Sequence, residues 1–262
     1  MKKIVLVVLL VCAMSSVALA SPLTDYSKGN AALDINYRNN STYDVNAGIN
    51  GVGKIGESFD GKNNFEWGFT YGIGNNWALQ YRQATPKGTL SLIDDSISQP
   101  EEMSRSSYIT AANVNLEAKT RLEEYNVLYK LDKNFSLFTG LVKASPRFKV
   151  NAGVQLGWED NYSGDLAIQG HDKNIWQFGF VASAPLADKL TAYGLASFGS
   201  DYRNWEAGLG YEIAKNLELN VNYRDMKVDN MTVAGISTPD GNFDVKTDTK
   251  VKGWGFGVTY KF

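Results

Sequence analysis

Hydrophobic and polar residues alternate strictly near the C-terminal end of the chain. In the segment 251–262, VKGWGFGVTYKF, aromatic and aliphatic residues take one set of alternate positions, and glycine, threonine and lysine take most of the other. Successive side chains of a β-strand point to opposite faces, so this pattern predicts a strand with one apolar face and one small or polar face. A soluble sandwich would bury such an aromatic face with difficulty, whereas lipid could cover it. An ordinary edge strand is the alternative.

Segments with the same alternation flank short connections that are rich in Asn, Asp and Gly. Three such connections are residues 74–76, 132–134 and 214–216, and a looser fourth lies at 187–189. These residue types tolerate the left-handed backbone of tight turns, so each connection predicts a β-hairpin. The hairpin over about 175–199 has apolar residues on both faces of its second strand, which predicts a β-bulge there.

A first strand near 31–39 and the terminal strand bring the predicted number of strands to ten. An even number returns both termini to one side of the membrane, so we expect an all-β protein, a closed antiparallel up-and-down transmembrane β-barrel. Residues 150–158 also alternate, and either extend a strand above the membrane or form a further hairpin, so that twelve strands are the alternative. The remaining connections lie at the end opposite the short turns: four are long, at about 40–64, 84–120, 144–174 and 229–250, and one is a short link near 200–204.

The terminal strand carries the most specific signal. Its alternating Phe256, Val258, Tyr260 and Phe262 resemble the assembly signal of bacterial outer-membrane β-barrels. The resemblance implies a small outer-membrane barrel that the barrel-assembly machinery inserts, with outer-membrane lipid and lipopolysaccharide as its surroundings. It identifies an architecture and leaves the ligand and the oligomeric state open.

Residues 1–20 have the composition of a secretory signal peptide. Two lysines precede an apolar run, and Ala18 and Ala20 form a small-residue cleavage site before Ser21. The apolar run is shorter than the roughly 20 residues that a transmembrane helix needs. We therefore expect export, cleavage, and a single barrel domain over residues 21–262. The one cysteine lies within the signal segment, so the exported domain is expected to contain no disulfide.

The overall composition is consistent with a barrel in a membrane. The formal net charge is −2, which gives no indication of a nucleic-acid partner. Mean hydropathy is −0.27. Because a transmembrane barrel faces lipid with alternate residues only, its mean hydropathy stays close to that of a soluble protein.

Charged residues recur at positions predicted to face the lumen. The segments INYR (35–38), LQYR (79–82) and VNYR (221–224) each place a tyrosine toward lipid and an arginine inward. Counting back from the turn at 214–216 sets Arg224 opposite Glu206 and Glu218 opposite Glu212. We interpret these charges as the polar filling of a narrow barrel rather than as an ion-selectivity device. The luminal charges predicted in this way are Glu66, Arg82, Glu206 and Arg224.

Catalytic chemistry has little support in the sequence. His171 is the only histidine, and with Asp94, Asp95 and Asp172 it superficially resembles the rim residues of the omptin proteases, which are ten-stranded barrels. In that family the acid and the histidine are two residues apart and point the same way, whereas neighbours in a strand point oppositely. Acidic residues of the long connections fit no calcium-loop spacing. We therefore expect no enzyme, no cofactor and no metal site.

Two functions remain open from sequence. The first is a porin-like or structural envelope barrel that passes small solutes or ions, although ten strands leave little room for water. The alternative is a surface-exposed adhesin or ligand-binding barrel that acts through its long outer connections. An omptin-like rim protease ranks last.

Overall fold

A computed structural model gives the fold of most of the chain. It describes residues 23, 25–49, 53–94, 109–156, 160–238 and 241–262. Within these ranges no helix is long and apolar enough to cross a membrane. The strands are β1 (Ala31–Ile49), β2 (Gly53–Lys62), β3 (Asn64–Gly74), β4 (Trp77–Ala84), β5 (Lys87–Asp94), β6 (Ile109–Lys130), β7 (Phe135–Leu156), β8 (Asp160–Gln169), β9 (Lys173–Ala187), β10 (Leu190–Gly199), β11 (Tyr202–Ala214), β12 (Leu217–Thr238) and β13 (Gly241–Lys261).

Ten of these strands close an antiparallel ring. Its order is β1, β3, β4, β6, β7, β9, β10, β11, β12 and β13, and β13 pairs back onto β1. The predicted closed barrel of about ten strands is therefore confirmed. The turns after β3, β6, β9 and β11 lie at one end of the ring with both ends of the described chain. The long hairpins and the short β10–β11 turn lie at the other end.

Where the structure describes them, the predicted long connections are largely β-structure rather than loops, which corrects that expectation. Strands β2, β5 and β8 continue β3, β4 and β9 above the ring, after breaks at Asn63, 85–86 and 170–172. They pair with the upper parts of β1, β6 and β7. Strands β6, β7 and β12 each have 22 residues, about twice the roughly 9–11 that span a bilayer. The barrel therefore extends well beyond the membrane.

The upper strands escaped sequence reasoning because their apolar face is reversed. On β12, Leu219 is 46% exposed on the outer face, whereas Met226 and Val228 are buried inside the barrel. Lipid covers the outer face in the membrane, and water covers it above. The alternation therefore changes parity along a single strand.

The segment 150–158 both extends a strand and forms a hairpin. Strand β7 runs to Leu156, and β8 pairs with it from Leu156↔Asp160 to Arg147↔Gln169. The ring itself does not gain strands, so the twelve-stranded alternative is not supported among the described residues. Residues 157 and 158 lie outside them.

Turn and bulge chemistry follows the sequence. Asn75, Asn76 and Asn216 have φ values of 54°, 67° and 69°, the left-handed backbone that asparagine tolerates. The bulge predicted in the hairpin over about 175–199 appears as a register shift between Leu190 and Thr191.

A continuous apolar belt covers the outside of the ring. Large side chains at alternate positions are exposed, among them Trp67 at 43%, Trp176 at 70% and Phe178 at 65%. A soluble protein rarely exposes apolar area on this scale, so the belt is the surface that lipid covers.

We predict that arginine at the centre of this belt destabilises the barrel. Leu209→Arg, at a position 41% exposed on β11, should cost about 2–4 kcal/mol of unfolding free energy in lipid. Leu166→Arg is the matched control, because Leu166 is 58% exposed but lies above the membrane on β8. Reversible urea unfolding in lipid vesicles measures both variants. Equal costs would contradict the assignment of the belt to lipid.

Candidate functional site

Three arginines and two glutamates meet across the lumen in the lower half of the barrel. Glu66 contacts Arg38 Nε at 3.0 Å and Arg224 Nη2 at 2.5 Å, both through Oε2. Glu206 Oε2 accepts from Arg224 Nε at 3.1 Å, Arg38 Nη2 at 3.3 Å and Arg82 Nη2 at 3.4 Å. Strands from opposite sides of the ring are thereby joined through their side chains. We call these five residues the central cluster.

Further polar groups complete the network around the central cluster. Tyr193 Oη donates to Glu206 Oε1 at 3.0 Å, and Tyr202 Oη donates to Glu124 Oε1 at 3.1 Å. With Glu124, three carboxylates balance three guanidinium groups. Balance of this kind is needed because an unpaired charge in a buried site is strongly destabilising.

The structure places all four sequence-predicted luminal charges on the inner wall. The predicted registers, Arg224 opposite Glu206 and Glu218 opposite Glu212, are confirmed. Glu124 was not singled out from sequence, although Tyr125 and Val127 on the outer face fix its parity. Tyr193 lies in the irregular strand β10, where apolar residues occupy both sets of alternate positions. The pattern there does not indicate which side chains face the lumen.

Only a small internal space adjoins the central cluster. A cavity of about 50 Å³ lies between Asp34, Gln80, Glu124 and Tyr193. That volume accommodates a few water molecules at most.

Apolar side chains fill the lumen on both sides of the central cluster. Above it, Leu122, Val142, Val228 and Met231 are essentially inaccessible. Below it, a second apolar layer surrounds Leu128 and includes Phe138, Val181 and Leu195. The charges are therefore enclosed between two apolar layers.

The segment before β1 closes the lower layer. Leu23 and Tyr26 are buried inside the barrel, and Tyr26 O accepts a hydrogen bond from Gly74 N at 3.0 Å. Gly72 N donates to Asn30 O at 2.8 Å. A Cβ at Gly72 would lie 2.5 Å from Ser27 O, so glycine is required for this close approach.

At the opposite end, a polar cleft of about 570 Å³ opens above the short β10–β11 hairpin. Lys173 Nζ pairs with Asp201 Oδ2 at 2.7 Å and donates to the backbone oxygens of Asp229 and Asn230 at 2.9 and 3.0 Å. These contacts join the start of β9 to the β10–β11 turn and to the middle of β12. The cleft is lined by His171, Asp172, Lys173, Asn174, Asp201, Asn230, Thr232, Asp244 and Lys246.

The structure does not assemble an omptin-like set at this rim. Asp94 pairs with Ala112 on β6, which in turn pairs with Val154 on β7. Gly170, next to His171, instead donates its N–H to Pro146 O, lower on β7. Eight residues of β7 separate Val154 from Pro146, which is about 26 Å at 3.3 Å per residue. Asp95 lies outside the described residues. Asp172 is engaged elsewhere: its carboxylate binds Lys143 Nζ at 2.8 Å and accepts from Ser145 Oγ at 2.5 Å.

No group of three or more His, Cys, Asp or Glu side chains that could hold a metal ion occurs in the part of the chain that the structure describes. Two carboxylates of the cleft, Asp172 and Asp201, are instead paired with lysines. Hydrogen bonds from Lys143 and then Ser145 lower the pKa of Asp172 below its ordinary value.

We predict that the Lys173–Asp201 contact persists at all physiological pH values. Hydrogen bonds from Lys173 and Asn230 lower the pKa of Asp201 below the ordinary 3.8. Stability from a carboxyl with a lowered pKa is complete above the unfolded value and is lost as pH falls through the folded value. The ¹³C NMR signal of the Asp201 side-chain carboxyl should therefore not titrate between pH 5 and 8 and should show protonation only below about pH 3.8. Titration near pH 5 would contradict the contact.

Comparisons with known proteins show a similarity of fold but no match in sequence. No protein-family model matches the chain, and no curated protein matches it in sequence. Among solved structures, the outer membrane protease OmpT from Escherichia coli aligns with a TM-score of 0.50 at 10% identity, over 89% of this chain and 97% of that one. The attachment invasion locus protein Ail of Yersinia pestis aligns with a TM-score of 0.35 at 14% identity, over 90% and 99%. OprG from Pseudomonas aeruginosa gives 0.36 at 14% identity, over 92% and 99%.

Proposed function

We propose that this small bacterial outer-membrane β-barrel does not conduct solutes and acts, without catalysis, through the hairpins that it raises above the outer leaflet. One observation carries the proposal: the lumen is filled by a buried charge network between two apolar layers. A porin needs a continuous water path, and the packing described above supports its absence.

The energetics favour a lumen that stays closed. Opening a path through the central cluster would separate Glu206 from its three arginines. Breaking a buried ion pair leaves a charge uncompensated, which costs about 3–5 kcal/mol. The apolar layers above and below would also need to admit water. Spontaneous opening would require the ion pairs to break and the apolar layers to admit water at the same time, so it would be rare.

The long hairpins support action at the cell surface. They account for much of β6, β7, β12 and β13, and they fold around the apolar layer above the central cluster, to which Tyr43, Val45 and Phe59 also belong. A barrel that served only as a membrane anchor would not need a folded extension of this length. Binding sites often occur on segments that a rigid scaffold positions in this way.

Passage of small ions is the second candidate, and one observation favours it. Both amide atoms of Asn204 and the hydroxyl of Ser197 are buried without a hydrogen-bond partner among the described residues. These two side chains face each other across β10 and β11. Buried polar groups of this kind are commonly satisfied by water, so a partly hydrated lumen is the competing interpretation.

Conductance in planar bilayers separates the two candidates. We expect the purified barrel to give no steady single-channel current. The double variant Glu206→Ala with Arg224→Ala, which removes part of the central cluster, is expected to raise the current. Steady current from the unmodified protein would overturn the closed-barrel proposal and favour the porin-like function. Peptidase or lipase activity that His171→Ala abolishes would overturn its non-enzymatic part.

Surface accessibility tests where the protein acts. An epitope tag inserted between Leu156 and Asp160, where β7 turns into β8, should be labelled by antibody on intact cells. The same tag at Lys133, in a short turn of the opposite end, should be labelled only after the outer membrane is permeabilised. The reverse pattern would contradict the proposal.

A further inference from the structure

Two strand edges above the membrane lack a strand partner within the described ranges. Strand β8 pairs with β7 alone and ends the sheet. Strand β12 pairs with β11 only as far as Val228, and beyond that residue it pairs with β13 alone. The short β10–β11 hairpin lies below and between these edges. The wall of the upper barrel therefore has an opening, which we call the β8–β12 gap.

The two edges touch at the base of the gap. His171 N donates to Thr232 O at 2.8 Å. At Gly170, an added Cβ would lie 2.7 Å from Thr232 O and 3.2 Å from Val233 Cα. No ladder between β8 and β12 continues upward from this contact in the described strands, so the facing backbone groups of the two edges do not pair with each other there. The gap is thus a slot with a defined closed end.

Hydrogen bonding fixes which backbone groups of β8 face the gap. Gly170 N donates to Pro146 O at 2.9 Å, so the backbone of Gly170 faces β7. Backbone groups alternate along a strand, so those of Ile168 and Leu166 also face β7. The N–H and C=O groups of Gln169, Ala167 and Asp165 then point into the gap. All three of these residues are exposed.

An apolar side chain is uncovered beside these groups. Leu166 on β8 lies opposite Val150 on β7. Both residues lie on the inner face of the sheet, the same face as Phe148. Leu166 is nevertheless 58% exposed, whereas the inner residues lower on β7, such as Val142, are inaccessible. Within the part of the chain that the structure describes, the gap therefore offers a row of backbone groups without a strand partner next to an exposed apolar side chain.

We propose that the β8–β12 gap binds an extended segment of another polypeptide, which pairs with β8 and packs an apolar side chain against Leu166. This inference rests on the proposed surface function and names its class of partner. An exposed strand edge presents donors and acceptors that an added strand, about 4.7–4.9 Å away, satisfies along its length. Acyl chains have no such donors, and a glycan does not repeat them at strand spacing.

The polar cleft at the base of the gap fits the same partner. It presents the ammonium group of Lys246 and the carboxylate of Asp244, and neither makes an ion pair with another described residue. A peptide leaving the slot at its closed end would pass over these groups with polar or charged side chains. Apolar contact above and polar contact below give the site a direction.

Proline at Ala167 provides a specific test. The N–H of Ala167 faces the gap, so its removal costs no hydrogen bond to β7, and proline is tolerated at an edge in that orientation. Ala167→Ser is the matched control, because it retains the N–H. Leu166→Asp leaves the backbone intact and removes the apolar contact, so it keeps the test decisive if the proline variant does not fold.

The probe is a fluorescent decapeptide of alternating valine and threonine, together with the same peptide N-methylated at every residue, which has no N–H group left on either edge. Fluorescence anisotropy with the purified full-length barrel should show saturable binding of the first peptide and none of the second. Ala167→Ser should bind as the unmodified protein does. Ala167→Pro and Leu166→Asp should each bind about tenfold more weakly, as expected from the loss of a backbone hydrogen bond or of an apolar contact.

Three results would overturn the inference. One is equal binding by a folded Ala167→Pro barrel. Another is binding of the N-methylated peptide as tightly as its parent. The third is a dimer of the unmodified protein that Ala167→Pro dissociates, because a second copy would then fill the gap. Failure of peptide binding in a non-conducting barrel with surface-exposed hairpins leaves the proposed function standing, whereas steady conductance bears on the proposed function alone.

Discussion

Replacing Glu206 with glutamine is expected to lower the free energy of unfolding by about 3–5 kcal/mol. Glu206 accepts from Arg38, Arg82 and Arg224 through a single oxygen, and its other oxygen accepts from Tyr193. The side chain is 7% exposed, so water cannot replace the lost charge. The variant keeps the size of the side chain and leaves the three arginines with an excess positive charge. Chemical unfolding of the refolded barrel in lipid measures the loss.

Glu212→Gln is the matched control on the same strand. Glu212 also points into the barrel but is partly exposed near the short-turn end, opposite Glu218. Its neutralisation should change the unfolding free energy by no more than about 0.5 kcal/mol. A similarly small effect at Glu206 would show that the central cluster is solvated, and it would weaken the closed-barrel proposal.

We propose that Phe262→Ala prevents stable insertion while leaving export intact. Phe262 N donates to Ala31 O at 2.9 Å, and its ring lies 4.8 Å from that of Tyr260. The substitution removes the aromatic end of the strand that closes the barrel against β1. It also removes the residue for which the resemblance to the assembly signal is most specific. Cell fractionation should show processed protein in the periplasm and little heat-modifiable barrel in the outer membrane.

Phe65→Ala controls for the loss of one lipid-facing phenylalanine. Phe65 is 72% exposed and Phe262 is 62% exposed, so the two substitutions remove comparable apolar surface. Phe65 lies on β3, away from the closing seam. Normal insertion of both variants would refute the role proposed for Phe262. Equal failure of both would assign the effect to lost apolar area instead.

The membrane-spanning part of the fold could be predicted because each of its signals is local. Period-two alternation identifies the strands, and asparagine-rich turns such as 74–76 fix where they reverse. From a turn, register follows by counting, and counting back from the turn at 214–216 sets Arg224 opposite Glu206, as the structure shows. Local signals of this kind require no knowledge of the neighbouring strand.

The extension above the membrane could not be predicted in the same way. Tyr43 and Val45 are apolar and alternate, yet they point inward, whereas Ile35 lower on the same strand points outward. The alternation is interrupted where β1 shifts register between Asn40 and Thr42. A search for a continuous lipid-facing pattern therefore ends at the interface and classifies the rest as loop.

The candidate sites differ in the same respect. The central cluster consists of inward residues of regular strands, so parity alone identified most of it. The polar cleft depends on the start of β9, the β10–β11 turn and the middle of β12, and on the contact between His171 and Thr232, which no local pattern encodes. The burial of Tyr26 below the cluster likewise depends on a segment without alternation.

The seam between the first and last strands has a consequence for the kinetics of folding. Ala32 pairs with Lys261, so the closing ladder joins residues at opposite ends of the sequence. Contacts of such high sequence separation incur the entropy of closing a very long loop before they contribute stability, and proteins dominated by them fold slowly. The nine other strand pairs of the ring can form between nearer neighbours. We therefore expect closure of the β1–β13 seam to be the last and slowest event in folding, with an open sheet of unpaired edges preceding it.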